Sequence, residues 1–108
     1  MAIAVFRGTP RNDVDLEDLE KFEKKMMALG TAMPGFVEIK EFKAEDGESM
    51  MLVTFQSRAD MIDWRDHADH KKVQKRGRER YFSEYDVKIC EVIRHYSFSD
   101  GRRTEHEL

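Results

Sequence analysis

The sequence predicts a single α+β domain, on three observations. Its 108 residues leave room for one core only. Short β-prone segments and two amphipathic helical segments follow one another in the order β-α-β-β-α-β. Hydrophobic residues make up 40% and charged residues 38% of the chain, which is typical of a globular domain with a very polar surface.

The first strand is predicted over residues 2–6, AIAVF, and a helix follows it. Either Asp13 or Asp15 has the carboxylate that caps such a helix. The apolar residues then recur every three or four positions, which is the period of a helix with one buried stripe. They are Leu16, Leu19, Phe22, Met26, Leu29 and Met33. Pro34 and Gly35 end this helix.

The middle of the chain predicts a β-hairpin. Residues 36–44, FVEIKEFKA, alternate in the manner of a strand, and residues 49–56, SMMLVTFQ, form its partner. The intervening EDGE contains an Asp-Gly pair, which suits a tight turn between antiparallel strands.

A second helical segment begins at Ser57, because Asp60 three residues later resembles a capping box. It continues through DWRDHADHKKVQKRGRERYF. Two alternatives remain open: one helix over residues 63–80, or two helices with a break near Ala68 and Asp69.

The last strand is predicted over residues 85–98, YDVKICEVIRHYSF, and is apolar on both faces. Residues 99–108 have no periodicity and predict a loose tail, so the domain is expected to cover residues 1–98. The element order is that of a ferredoxin-like fold, a four-stranded antiparallel sheet with both helices on one face.

The strands carry apolar residues on both faces, although helices cover only one of them. The third strand has five within six positions: Met50, Met51, Leu52, Val53 and Phe55. An uncovered second face would be a large apolar patch. We therefore expect a homodimer in which two sheets pack back to back.

Residues 63–82 concentrate histidines and basic side chains, but metal and nucleic-acid sites are both disfavoured. His67 and His70 lie three residues apart without the third ligand that zinc requires. Acidic residues interrupt the basic run, and the net charge is −3, so a solvated face is favoured over a nucleic-acid strip. No apolar stretch approaches the roughly 18 residues of a membrane span, and we expect a cytoplasmic protein.

The remaining interpretation of this segment is that one helix face forms one side of a catalytic or ligand-binding site. On one continuous helix, five side chains would fall within about 80° of one another. They are Trp64, His67, Lys71, Gln74 and Arg78. On that side of the helix, the indole ring would stack on a planar ligand. The imidazole, the amide and the cation would contact its oxygen atoms. The alternative, that Trp64 is simply a core residue, stays open.

The segments MPGFVEIKEF and TFQSRADMIDWRDHADHKKVQKRGRERYFSEYDVKICEVIR resemble the antibiotic biosynthesis monooxygenase (ABM) superfamily. The chain is similar to its small bacterial members, which have a Trp-x-x-His-x-x-His helix, then Gln-x-x-Gly-Arg and a Tyr-rich start of the last strand. The resemblance covers residues 2–98. It implies a dimeric α+β barrel of two ferredoxin-like subunits. The superfamily includes cofactor-free oxygenases of polycyclic phenols, haem-degrading enzymes and autoinducer-processing proteins.

The resemblance implies a cofactor-independent monooxygenase acting on a small aromatic phenol or quinol. Trp64 would stack on the substrate, and His67 or His70 would take the phenolic proton. Arg78 or Tyr85 would stabilise the oxyanion. Three residues are expected to bind substrate: Gln74, Tyr81 and Tyr85. No cofactor or metal is expected.

Two other functions stay open under the same resemblance. One is a non-catalytic dimer that binds a small hydrophobic molecule in the same pocket. The other is a haem-binding or haem-degrading relative. The haem branch has an asparagine on the first strand, and AIAVFRG has none, so this function is disfavoured.

Overall fold

The computed structural model describes residues 1–108 and confirms the predicted ferredoxin-like β-α-β-β-α-β order. The first half consists of β1 (Ala2–Pro10), α1 (Leu16–Thr31), β2 (Phe36–Lys43) and β3 (Ser49–Phe55). The second half consists of α2 (Arg58–Asp66), α3 (Ala68–Arg76), a π-helical turn (Gly77–Tyr81), β4 (Phe82–Glu91), β5 (His95–Ser99) and β6 (Arg102–His106). Strands β1 to β4 form one antiparallel sheet in the order β2-β3-β1-β4.

Strand β1 is longer than predicted and pairs with β4 as far as Pro10. Gly8 makes this extension possible, since a Cβ atom there would lie 2.9 Å from the rings of Phe6 and Phe82. The absence of a side chain lets these two aromatic rings pack over the strand.

Helix α1 begins at Leu16 and is capped by Asp15, one of the two predicted caps. Its carboxylate accepts the backbone N–H groups of Glu17 at 3.0 Å and Asp18 at 3.2 Å. Leu19 and Phe22 of the predicted stripe are buried. The helix ends at Thr31, and Gly35, with φ of 78°, is the left-handed residue of the following turn, in which the N–H of Phe36 donates to the Met33 carbonyl at 3.3 Å.

The second helical segment is two helices, which decides between the alternatives above. The break lies at His67, whose ψ of 135° is extended, one residue before the predicted position. The Nδ1 atom of His67 accepts the N–H of Asp69 at 3.2 Å, so this histidine caps α3. At the start of α2, the Oγ atom of Ser57 accepts the N–H of Asp60 at 3.1 Å, as the sequence predicted.

The C-terminal end differs from the sequence prediction. Instead of one strand over 85–98 and a loose tail over 99–108, β4 ends at Glu91 and the strands β5 and β6 form a separate hairpin. Asp100 and Gly101 have φ of 49° and 77°, which is the geometry of a tight hairpin turn. The Asp-Gly pair was the sequence signal for this turn.

Two apolar clusters lie between the helices and the sheet. One includes Phe55, Met61 and Trp64, and the other includes Phe22 and Phe82. Both use the sheet face on which alternate residues of β1 and β3 are buried. No helix combines the length and the apolarity needed to cross a bilayer.

Candidate functional site

A cavity of about 490 Å³ lies between the helices and the sheet. This volume is within the range of small-molecule sites. Most of its lining is apolar: Ala4, Phe6, Phe22, Met26, Met51, Val53, Trp64, Val73, Phe82, Val87 and Ile89, with Gly77. The polar side chains in the lining are Arg65, His70, Gln74 and Tyr85. Such a cavity suits a largely apolar ligand with a few oxygen or nitrogen atoms.

Trp64 is both a core residue and a wall of the cavity. It is 9% exposed and packs against Phe55, with ring centroids 5.4 Å apart. Its indole N–H is buried without a hydrogen-bond partner and lies beside Gly30 of α1. The indole therefore presents an aromatic surface to the cavity, and both interpretations of this residue hold at once.

His70 is buried against the tryptophan. The ring centroids of His70 and Trp64 are 4.2 Å apart, at an interplanar angle of 46°. Burial, and to a smaller extent the neighbouring His67, lowers the pKa of His70 to about 4. The imidazole is therefore neutral at pH 7, and a ring nitrogen of a neutral imidazole accepts a proton or a hydrogen bond.

Tyr85 faces the cavity from β4, opposite the helices. Its ring stacks on Phe6 with centroids 5.5 Å apart. Arg78 lies in the π-helical turn and donates from Nη1 to the Tyr85 hydroxyl oxygen at 2.9 Å. Because the oxygen accepts this bond, the hydroxyl proton of Tyr85 is free to donate to another acceptor.

Comparison with known proteins gives the fold. No protein-family model matches the chain. An uncharacterised protein of Bacillus subtilis, YqjZ, is 25% identical over 78 residues, which are 72% of this chain and 68% of YqjZ.

Solved structures match most of the chain. A putative antibiotic biosynthesis monooxygenase from Nitrosomonas europaea matches at 10% identity, with a TM-score of 0.72, over 86% of this chain and 99% of that protein. SnoaB, a cofactor-independent oxygenase from Streptomyces nogalater, solved as a mutant, matches at 12% identity, with a TM-score of 0.74, over 85% and 92%. Rv0793 from Mycobacterium tuberculosis matches at 19% identity, with a TM-score of 0.72, over 86% and 96%.

The chain has the ABM fold. The resemblance inferred from the sequence is thereby confirmed at the level of the fold. At identities below 20%, these matches concern the fold alone.

Within this ABM fold, four of the seven predicted site residues line the cavity: Trp64, His70, Gln74 and Tyr85. Gln74 follows His70 by four residues on α3, so both lie on one face of that helix. The other three are His67, Arg78 and Tyr81, and none of them lines the cavity.

Each of these three side chains has another contact. His67 is exposed and caps α3, and Arg78 reaches the cavity only through Tyr85. The Tyr81 ring stacks on Phe22 with centroids 4.3 Å apart, and its hydroxyl donates to Asp18 at 3.0 Å. Burial and this hydrogen bond raise the pKa of Tyr81. Tyr81 is thus part of the core between α1 and the π-helical turn.

Sequence reasoning missed most of the apolar lining of the ABM-fold cavity and one cation. Arg65 follows Trp64 and lines the cavity, while its Nε lies 3.2 Å from Asp66 Oδ1. The signals for the apolar lining were present: Phe22 belongs to the predicted stripe of α1, and Val87 and Ile89 alternate on the last strand.

A metal ion would find few ligands in this cavity. His70 is the only histidine in the lining, and no three side chains of His, Cys, Asp or Glu lie together as a metal site. β1 contributes no asparagine to the cavity. The asparagine that the resemblance associates with the haem branch is therefore missing from this cavity.

Proposed function

We propose that the protein is a homodimeric member of the ABM family that acts as a cofactor-independent monooxygenase on a small aromatic phenol or quinol. The observation that carries the proposal is the neutral imidazole of His70, stacked on Trp64 inside an apolar cavity. The fold shared with SnoaB, described as a cofactor-independent oxygenase, supports it. The cytoplasmic location expected from the sequence belongs to the same proposal.

The lining of the cavity favours a planar aromatic substrate. Trp64, Phe6 and Phe82 offer aromatic surfaces around it. Aromatic rings gain from offset stacking or edge-to-face contact with such residues, beyond the burial of area. A substrate ring beside Trp64 would bring its hydroxyl group near His70, since the imidazole and the indole are in contact.

In the proposed reaction His70 is the base, because it lines the cavity whereas His67 does not. It accepts the phenolic proton at a ring nitrogen, and an imidazolium–phenolate pair results. A pKa of about 4 makes the imidazole a weak base in the empty cavity, but the phenolate would raise that pKa, because an opposite charge favours the protonated form. Tyr85 would donate its free hydroxyl proton to a substrate oxygen, and Arg78 would position Tyr85.

Molecular oxygen is the oxidant in this proposal, and the substrate supplies the electrons. Deprotonation makes the ring carbons ortho and para to the oxygen electron-rich, and one of these carbons that bears a hydrogen forms a bond to O₂. Loss of its hydrogen and cleavage of the O–O bond leave one oxygen atom on the ring as a carbonyl group. The second oxygen atom departs with two protons as water, so no flavin or metal is needed to balance the reaction.

Oxygen uptake with a panel of anthrones and quinols tests the proposal. His70→Gln should lower kcat by about 100-fold or more, which is the usual contribution of a general base. His67→Gln is the matched control and should leave kcat within about twofold, because His67 lies outside the cavity lining. An unchanged rate in His70→Gln, with substrate turned over, would remove His70 from the chemistry.

A second function is favoured by the low pKa of His70. An imidazole that stays unprotonated down to about pH 4 also suits a binding protein that accepts a hydrogen bond from a ligand without turning it over. Trp64 is the only tryptophan of the chain and lines the cavity, so ligand binding should change its fluorescence. Saturable quenching by phenols without oxygen uptake would select this binding function.

A further inference from the structure

Arg65 is the only permanently charged side chain in the lining of the cavity. No aspartate or glutamate lines the cavity, and the imidazole of His70 is neutral at pH 7. The lining therefore carries one positive charge at neutral pH and no negative charge. Because the rest of the lining is largely apolar, this charge is screened less than it would be in water. Such a lining favours a largely apolar ligand with one negative charge.

The guanidinium group of Arg65 has donors to spare. Only its Nε atom has a protein partner, the Oδ1 atom of the next residue, Asp66, at 3.2 Å. The two side chains are 49% and 53% exposed, so water screens this ion pair and it contributes little. The N–H groups on Nη1 and Nη2 have no acceptor in the chain. A ligand could therefore use them without breaking a strong contact.

The polar side chains of the lining differ in their exposure to solvent. His70 is buried, Gln74 and Tyr85 are half-buried, and the side chain of Arg65 is half exposed. Arginine covers apolar surface with its aliphatic stem while its charged end stays in water. Arg65 thus lies at the rim of the cavity and His70 lies deeper. A charged group of a ligand is bound at least cost at the rim, where it keeps part of its hydration.

The chemistry of this rim favours a carboxylate over a phosphate. A guanidinium group is planar, and its parallel N–H groups match the two oxygen atoms of a carboxylate. A phosphate monoester carries about −1.5 to −2 charges at pH 7. Such a group needs more than one cation, and the lining contains no lysine and no second arginine. One arginine balances the single charge of a carboxylate.

We propose that Arg65 binds the carboxylate of the ligand at the rim of the cavity, and that the ligand class is a planar hydroxylated aromatic acid with its hydroxyl and carboxylate groups at opposite ends. The position of the hydroxyl group rests on the proposed function, in which His70 takes the phenolic proton. Trp64 and Arg65 are consecutive on α2, so one turn of this helix would contact both the ring and the carboxylate. Arg65 determines specificity and has no part in the proton transfer.

Isothermal titration calorimetry at pH 7 with two matched compounds tests the proposal. One is a hydroxynaphthoate whose hydroxyl and carboxylate groups stand at opposite ends, and the other is its uncharged methyl ester. The wild type should bind the acid about fivefold more tightly, an effect between that of an exposed ion pair and that of a buried charge-assisted hydrogen bond. The preference should decrease as salt is added, because salt screens the charge at the rim.

Two variants separate the role of Arg65 from a general effect of charge. Arg65→Gln should reduce the preference for the acid to within about twofold, since glutamine is uncharged. It should leave the affinity for the ester nearly unchanged, because glutamine keeps part of the aliphatic stem. Arg58→Gln removes the same charge from the same helix and is the matched control. Arg58 contacts Glu91 and does not line the cavity, so this variant should keep the preference of the wild type.

A wild type that binds the ester as tightly as the acid, or that binds neither, would overturn the proposal. An Arg65→Gln variant that keeps the preference would overturn it as well. Equal loss of the preference in Arg58→Gln would assign the effect to the surface charge of α2 and not to the rim. Oxygen uptake is measured separately. A preference that depends on Arg65 without oxygen uptake would remove the proposed chemistry and keep this inference, whereas uptake with equal binding of acid and ester would do the reverse.

Discussion

Replacement of Glu23 by glutamine should make the protein more stable at alkaline pH. Glu23 is 5% exposed and lies on α1 against Glu41 of β2, with its Oε2 atom unpartnered. Burial, followed by the hydrogen bond to Glu41 and the charge of Glu41, raises the pKa of Glu23 to about 8. The charged groups that face it are Glu41, Lys43 and Glu20, and only Lys43 favours its ionised form.

The magnitude follows from proton linkage. Between pH 4.5, the ordinary value, and about pH 8, the folded state keeps a proton that the unfolded state has released. The contribution of the Glu23 carboxyl group to the free energy of unfolding is therefore fully present below pH 4.5 and is lost as pH rises to about 8. One proton changes the free energy of unfolding by about 1.4 kcal/mol per pH unit, or about 2 kcal/mol from pH 6.5 to 8. Glu41 is 24% exposed, and solvent there screens its interaction with Glu23. We therefore expect the wild type to lose between about 1 and 2 kcal/mol of unfolding free energy from pH 6.5 to 8.

Urea unfolding of the wild type and of Glu23→Gln at about pH 5, 6.5 and 8 measures this linkage. The wild type should lose stability over the upper interval, whereas the variant should lose much less, because glutamine is uncharged and its amide donates to Glu41. Glu17→Gln, exposed on the same helix, is the control and should keep the wild-type pH dependence. Identical pH dependence in the wild type and in Glu23→Gln would refute the reasoning.

Three further changes have defined outcomes. The fluorescence of Trp64, quenched by a protonated imidazole in contact, should change with a midpoint near pH 4, and a midpoint at the ordinary histidine value would contradict the burial of His70. Gly30→Ala should raise the free energy of unfolding by about 0.4 to 1 kcal/mol, because alanine reduces the conformational freedom of the unfolded chain. Its Cβ atom would lie 3.7 Å from the Trp64 indole nitrogen, an ordinary contact distance. A lower melting temperature would show that the added methyl group does not fit beside the indole. Ser57→Ala should cost about 1 kcal/mol in urea unfolding, since the N–H of Asp60 loses its cap, and an unchanged midpoint would show that water replaces it.

The sequence predicted the elements whose period or cap is local. The stripe of α1 and the pairing of β2 with β3 depend on residues close in the chain. The structure contains the pairing and most of the stripe, but Leu16, the first stripe residue, is 74% exposed. The C-terminal hairpin was missed, although its Asp100-Gly101 pair is the same kind of turn signal that was recognised in EDGE. The long apolar run before it favoured one continuous strand over two.

The predicted site depended on a geometry that the backbone does not adopt. The set that included His67 and Arg78 assumed one helix over residues 63–80, whereas the extended backbone at His67 turns that side chain to the surface. The π-helical turn then changes the direction of Arg78, so that it reaches Tyr85. Neither the extended backbone at His67 nor the π-helical turn produces a periodic sequence pattern from which it could be predicted. Trp64 and Gln74 belonged to that set, and His70 was predicted from the resemblance; Trp64 lies on α2, and His70 and Gln74 lie on α3.

Glu23 and His70 affect the stability curve in opposite directions. His70 has a folded pKa of about 4 against an ordinary 6.5, so the unfolded state binds more protons between these values and stability falls as pH falls through them. Glu23 makes stability fall as pH rises from 4.5 to about 8. The two slopes oppose each other between pH 4.5 and 6.5, which predicts a plateau there and a decline above it. Near pH 7 both groups are neutral, so neither brings a charge into the layer between helices and sheet. In the proposed reaction, proton transfer from the phenol to His70 would then place a new charge pair in that layer, where low polarity strengthens its attraction.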